Sequence, residues 1–116
     1  MRLETSIPVL RVQDYERAKA FWTDTMGFAV AEEGGEPPRF GIFKRDAATV
    51  FVDAWHGGEA APSPSWRAYF HVEDIEAFVA TLDGPEIQGP VTKPYGMREV
   101  EIRDPEGNLL CFGQDV

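Results

Sequence analysis

The stretch Pro94-Tyr95-Gly96-Met97-Arg98-Glu99-Val100-Glu101-Ile102-Arg103-Asp104-Pro105-Glu106-Gly107-Asn108 decides how the rest of the chain is read. It opens on a loop carrying an aromatic, continues as a strand and ends in a tight turn. Asp-Pro-Glu-Gly-Asn is strong turn chemistry: proline presets φ, glycine supplies a positive φ, and Asp and Asn bond back to nearby backbone. The turn is followed by the apolar run Leu109-Leu110-Cys111, so the whole reads as a hairpin.

An earlier segment echoes it. Arg45-Asp46 precedes Ala47-Ala48-Thr49-Val50-Phe51-Val52-Asp53, as Arg103-Asp104 precedes the last apolar run. The echo extends upstream. Ser6 to Val12 is a β-rich run, with Asp14 as a helix N-cap, Tyr15, Ala18, Phe21 and Trp22 at helical spacing, and Gly27 at the stop. Trp66 to Val72 is a second such run, followed by the cap Asp74, then Ile75, Phe78, Val79 and Leu82, and Gly84. Each half has room for one more strand, near Phe28 to Glu32 and near Ile87 to Val91. The pattern predicts an α+β fold of two tandem βαβββ modules, about 1–57 and 65–116, in a single domain 1–116. Gly57-Gly58-Glu59-Ala60-Ala61-Pro62-Ser63-Pro64 reads as the linker between them.

Composition narrows the function. A chain of 116 residues makes one compact domain. Its net charge of −9 argues against nucleic acid, which needs a basic patch, and allows a cationic guest. No apolar run reaches the length of a membrane span, the start lacks a signal peptide's apolar core, and the lone Cys111 suits a reducing compartment; these point to a cytoplasmic protein.

Laid out this way, the chain resembles the glyoxalase/bleomycin-resistance/extradiol-dioxygenase superfamily, and within it the bleomycin-resistance proteins. The matching stretches are Ser6-Ile7-Pro8-Val9-Leu10, Phe21-Trp22-Thr23-Asp24 with Gly27-Phe28, and the segment Pro94 to Asn108. The resemblance implies a curved mixed sheet with a cleft, in a homodimer that exchanges first strands at Pro8. It also implies non-catalytic binding of a small aromatic or cationic molecule such as a bleomycin-type antibiotic. The alternative is a metal-dependent lyase, isomerase or dioxygenase of the same superfamily with a displaced metal site.

In the metal-dependent members, the ligands come from the first and last strands of both modules. The internal repeat puts those positions at Ile7, Asp53, Arg67 and Cys111. Isoleucine cannot ligate and arginine keeps its proton, so neither the usual metal nor any cofactor is expected. Other catalytic arrangements are weaker: Cys111 beside His71 reads as strand filler rather than a nucleophile.

What remains is aromatic and acidic. By the resemblance, Phe40, Tyr69 and Tyr95 fall on aromatic cleft positions of the drug-binding proteins, and Asp53 replaces a small polar residue there. Met97 lengthens the Tyr95 loop by one. Strand alternation adds His71 to the face of Tyr69 and Trp55 to the face of Asp53, and puts Trp66 on the side away from Tyr69. The expected ligand-binding residues are therefore Phe40, Asp53, Trp55, Tyr69, His71, Tyr95 and Met97. Asp53 is read as the partner of a cationic group, Tyr95 as the most functional residue of the opening segment, and the Asp104–Asn108 turn as architecture.

Overall fold

A computed structural model describes residues 1–56 and 62–116; the first five linker residues, Gly57 to Ala61, lie outside the described residues. The chain forms β1 (Val9–Arg11), α1 (Tyr15–Ala20) continued by a π-helical turn (Phe21–Thr25), β2 (Ala29–Gly34), β3 (Phe40–Arg45) and β4 (Ala48–Asp53). It then repeats with β5 (Trp66–His71), α2 (Ile75–Ala80), β6 (Ile87–Thr92), β7 (Met97–Arg103) and β8 (Leu109–Asp115). Each module makes its own four-stranded mixed sheet, ordered β1-β4-β3-β2 and β5-β8-β7-β6. In both, the first strand lies parallel to the last and the other pairs are antiparallel.

The repeat seen in the sequence therefore folds as a repeat, with local chemistry at each boundary. Asp14 accepts the Arg17 amide at 3.1 Å and Asp74 accepts the Ala77 amide at 3.1 Å, each satisfying an otherwise orphaned donor of a helix start. Gly27 and Gly84 both take positive φ where the helices end, at 74° and 76°. The first strand is shorter than the sequence suggests. Pro8 has no N–H to give a ladder, and pairing starts one residue later, with only the Pro8 carbonyl accepting the Phe51 amide.

Alternation sends one face of each sheet inward. Leu10, Val12, Phe43, Val50 and Val52 from the first module meet Ala68, Val100, Ile102, Leu110 and Phe112 from the second in one cluster. Trp22 sits fully buried between them, edge-on to Phe28 at 4.8 Å and 6.4 Å from Phe70. Each large apolar side chain buried this way contributes about 1.5–3 kcal/mol. Phe21 is buried too, and Phe78 packs against the cluster, as their helical spacing suggests.

The Asp104–Asn108 turn fastens the modules together. Asp104 Oδ1 accepts the Glu106 and Asn108 amides, and its Oδ2 accepts the Asn108 side chain at 2.7 Å. Glu106 reaches across to accept the Gln13 and Asp14 amides at 2.6 and 2.8 Å, and the Asn108 amide group donates to the Arg11 carbonyl. The described end of the linker docks here as well. Ser63 is buried, its hydroxyl accepting the Leu109 amide at 2.8 Å, and Pro62 packs on Gly107.

Candidate functional site

The sheet faces turned away from the core carry the site candidates, and each module brings its own set together. On the first sheet, Phe40 (β3) and Trp55, just past β4, stack at 5.3 Å with planes 10° apart. Phe51 of β4 meets Phe40 edge-on at 5.4 Å. The Trp55 indole lies over Gly34 at the end of β2, where a Cβ would come within 2.9 Å of the ring. Trp55 is nevertheless 47% exposed, which leaves an aromatic face for a flat guest.

Asp53 does not act there as the sequence suggests. It is buried, its Oδ1 accepts the Trp55 amide at 2.8 Å, and its Oδ2 lies 2.5 Å from His56 Nδ1. Burial works to raise its pKa, but the His56 and backbone hydrogen bonds together outweigh that and hold the carboxyl below its ordinary value. A carboxylate occupied on both oxygens holds Trp55 and the strand end in place and offers little to a cation.

On the second sheet, Tyr69 (β5) donates to Glu99 Oε2 at 2.9 Å, and Tyr95, on the loop before β7, donates to Glu99 Oε1 at 2.7 Å. His71 stands 5.2 Å from the Tyr69 ring. Met97 and Glu99 share a face of β7, and Gly113 opposite Glu99 has no side chain where Tyr69 crosses the strand. A Cβ there would fall 1.9 Å from the tyrosine oxygen, so glycine is what lets Tyr69 reach its acceptor. Burial and the Glu99 contact raise the Tyr69 phenol well above its usual value. The hydrogen bond to Glu99 and partial desolvation push Tyr95 up to about 12. Both rings therefore stay neutral and donate.

Trp66 departs from the expected alternation. A register shift between Trp66 and Ala68 brings its ring within 5.1 Å of Tyr69, on the face it was expected to avoid. Its indole N–H donates to Glu101 Oε2 at 2.6 Å. A groove of about 550 Å³, lined by Ile7, Pro8, Thr49, Tyr69 and His71 among others, opens between the segment ahead of β1 and the β5 strand.

The pairing also corrects the four metal-ligand positions. Val9 pairs with Phe51 while its counterpart Tyr69 pairs with Cys111, so Cys111 corresponds to Phe51, and Asp53 to Gly113. Counting on from the shared Arg-Asp misplaces the match because the hairpins differ. Arg45 pairs with Ala48 across two residues, and Arg103 pairs with Leu109 across five. The positions become Ile7, Phe51, Arg67 and Cys111. Of these only Cys111 can ligate, and burial with the nearby Glu99 and Glu101 charges pushes its thiol up to about 12, so it stays protonated. These residues do not fit a catalytic metal, and among the described residues no cluster of three or more His, Cys, Asp or Glu is placed to hold one.

Sequence reasoning missed Glu99, Glu101 and Phe51 as members of these faces. The period-two pattern of β7 and β4 puts them there, but only the pairing shows which face opens outward.

With this geometry in place, comparison with known proteins fixes the family: the chain belongs to the Glyoxalase/Bleomycin resistance protein/Dioxygenase superfamily, matched over residues 6–112. Among solved structures, the bleomycin resistance determinant encoded on transposon Tn5 superposes with a TM-score of 0.77 at 20% identity, covering 97% of this chain and 98% of that one. The bleomycin-binding protein of Streptomyces verticillus, solved with copper(II)-bleomycin, gives 0.71 at 25% identity, with 97% and 96% covered. An antibiotic-binding protein from Streptomyces sp. CB03234 gives 0.74 at 22%, covering all of both chains. No curated protein matches the sequence. Among the described residues, no helix is long and apolar enough to cross a membrane.

Proposed function

We propose that this protein binds and sequesters a small aromatic, cationic molecule without transforming it, in the manner of the bleomycin-binding proteins it resembles in fold. The observation that carries the reading is the set of exposed rings on the outward sheet faces. Trp55, Trp66 and Tyr95 are 47%, 42% and 61% exposed, each held in place by a stack or hydrogen bond. Rings fixed in advance lose little freedom when a planar guest stacks on them. Phe40, Trp55, Tyr69, His71, Tyr95 and Met97 are the residues we assign to the guest, with Asp53 orienting Trp55.

We place the working unit as a cytoplasmic homodimer, with the segment ahead of Pro8 exchanged between copies. Residues 1–6 are exposed and outside any strand, with Leu3 at 89%, which suits an arm seated on a second copy. A bleomycin-type glycopeptide is the first compound to test. Calorimetry of the full chain against bleomycin is expected to show saturable heat, and no heat at high micromolar concentration would sink the antibiotic assignment. Phe40→Ala and Tyr95→Ala are each expected to weaken binding about 5- to 30-fold. Full affinity in either would remove that residue from the site.

A further inference from the structure

The two outward faces differ in how their charges are balanced. On the first sheet, Asp53 is hydrogen-bonded to His56 and paired in the ladder with the positively charged Arg11, whose guanidinium donates to the His56 carbonyl. Glu32 and Lys44 add one charge of each sign on the same face, Glu32 beside Ile42 and Lys44 beside Ala29. On the second sheet, Glu99, Glu101 and Arg103 share a face of β7, but the Arg103 guanidinium is turned to the Ser63 and Gly107 carbonyls, and among the described residues neither carboxylate is in an ion pair. Their hydrogen-bond donors are neutral: two phenols on Glu99 and an indole on Glu101. The field this leaves is felt at Cys111, directly opposite Glu101, where both carboxylates outweigh Lys93.

We infer that Glu99 and Glu101 set the charge preference of the site, selecting guests with a basic group on a flat ring over neutral or anionic guests of the same shape. The inference rests on the binding function proposed above. Glu101 is half-buried and keeps one oxygen without a hydrogen-bond partner among the described residues, so it can meet an ammonium or amidinium directly. Glu99 is 2% exposed and works through its tyrosines. A phenol donating to a carboxylate is polarised toward phenolate, its ring face becomes richer in electrons, and its attraction for a cation grows. Glu99 is thus a positioning residue, and the exposed ring of Tyr95 carries its charge to the guest.

The test is fluorescence titration of the full chain with three acridines of one shape: 9-aminoacridine (a cation at neutral pH), acridone (neutral) and acridine-9-carboxylate (an anion). The unmodified protein is expected to bind the cation at least about tenfold more tightly than the anion. Glu101→Gln and Glu99→Gln are each expected to shrink that ratio by about 3- to 10-fold while acridone affinity moves less than about twofold. Glu16→Gln, which removes the same charge from an exposed position in the first turn of α1, is expected to leave the ratio unchanged. A ratio near one in the unmodified protein, or a ratio untouched by Glu101→Gln, overturns the inference. Glu101→Gln decides alone should the buried Glu99 variant not fold. Rings that bind without regard to charge sink this inference only; no binding of any ring sinks the proposed function with it.

Discussion

The two modules share a topology and differ most at their last hairpin turns. The first turn is Asp46-Ala47, exposed, with Asp46 at a φ of 52° and in a loose 4.0 Å contact with Arg45. The second is Asp104 to Asn108, buried at both ends and bonded to the first module's helix start and to the linker's end. A duplicated unit has kept one turn as a bare connection and made the other the joint between its halves.

Asp104→Ala tests that contrast hardest. It strands the amides of Glu106 and Asn108, and is expected to cost about 2–4 kcal/mol in urea unfolding. A loss no larger than that of a surface substitution would dissolve the distinction between the turns. The outward faces give the next test. Gly113→Ala drives a methyl into the Tyr69 oxygen, and is expected to cost about 1–3 kcal/mol and to weaken acridine binding with it. A crystal structure of that variant with Tyr69 still on Glu99 would show that the glycine is not what frees the approach.

The modules also respond differently to acid. Asp53 and Glu33, both in the first module, have pKa values held below the ordinary ones. Each contributes stability above its unfolded value that is lost as the pH falls through its folded one. Asp104 in the second is raised, burial outweighing its hydrogen bonds, so its protonation on acidification gains stability. Asp53→Asn is expected to cost about 0.5–1.5 kcal/mol near neutral pH and to cost progressively less as the pH falls below the ordinary carboxylate range. An equal cost throughout would mean that the carboxylate's charge is not what His56 holds. The smallest expected effect closes the comparison. Asp46→Gly suits the positive φ of the first turn and is expected to shift stability by less than about 0.5 kcal/mol.

Much of this was legible in the residues. The helix caps Asp14 and Asp74, the glycine stops, both hairpins and the duplication itself follow from local chemistry that acts within a few residues, and the superfamily follows with them. Local reasoning failed where two distant strands had to be matched. Counting along from Arg-Asp paired Asp53 with Cys111, whereas the ladders pair Phe51 with it, because loop length is free to change while strand register is held by hydrogen bonds and the buried face. Trp66 changed face because a single extra residue in β5 flips the alternation behind it.

The sequence by itself determined the class of protein, the two modules and the aromatic character of the outward faces. Only the tertiary structure decided which acids are spent and which remain open. Asp53 finds His56 three residues on and Glu99 finds a phenol for each oxygen, Tyr95 close by and Tyr69 30 residues upstream, whereas Glu101 finds a single indole, 35 residues upstream. A carboxylate's availability depends on what the fold brings within hydrogen-bond reach of it, and no pattern along the chain carries that information.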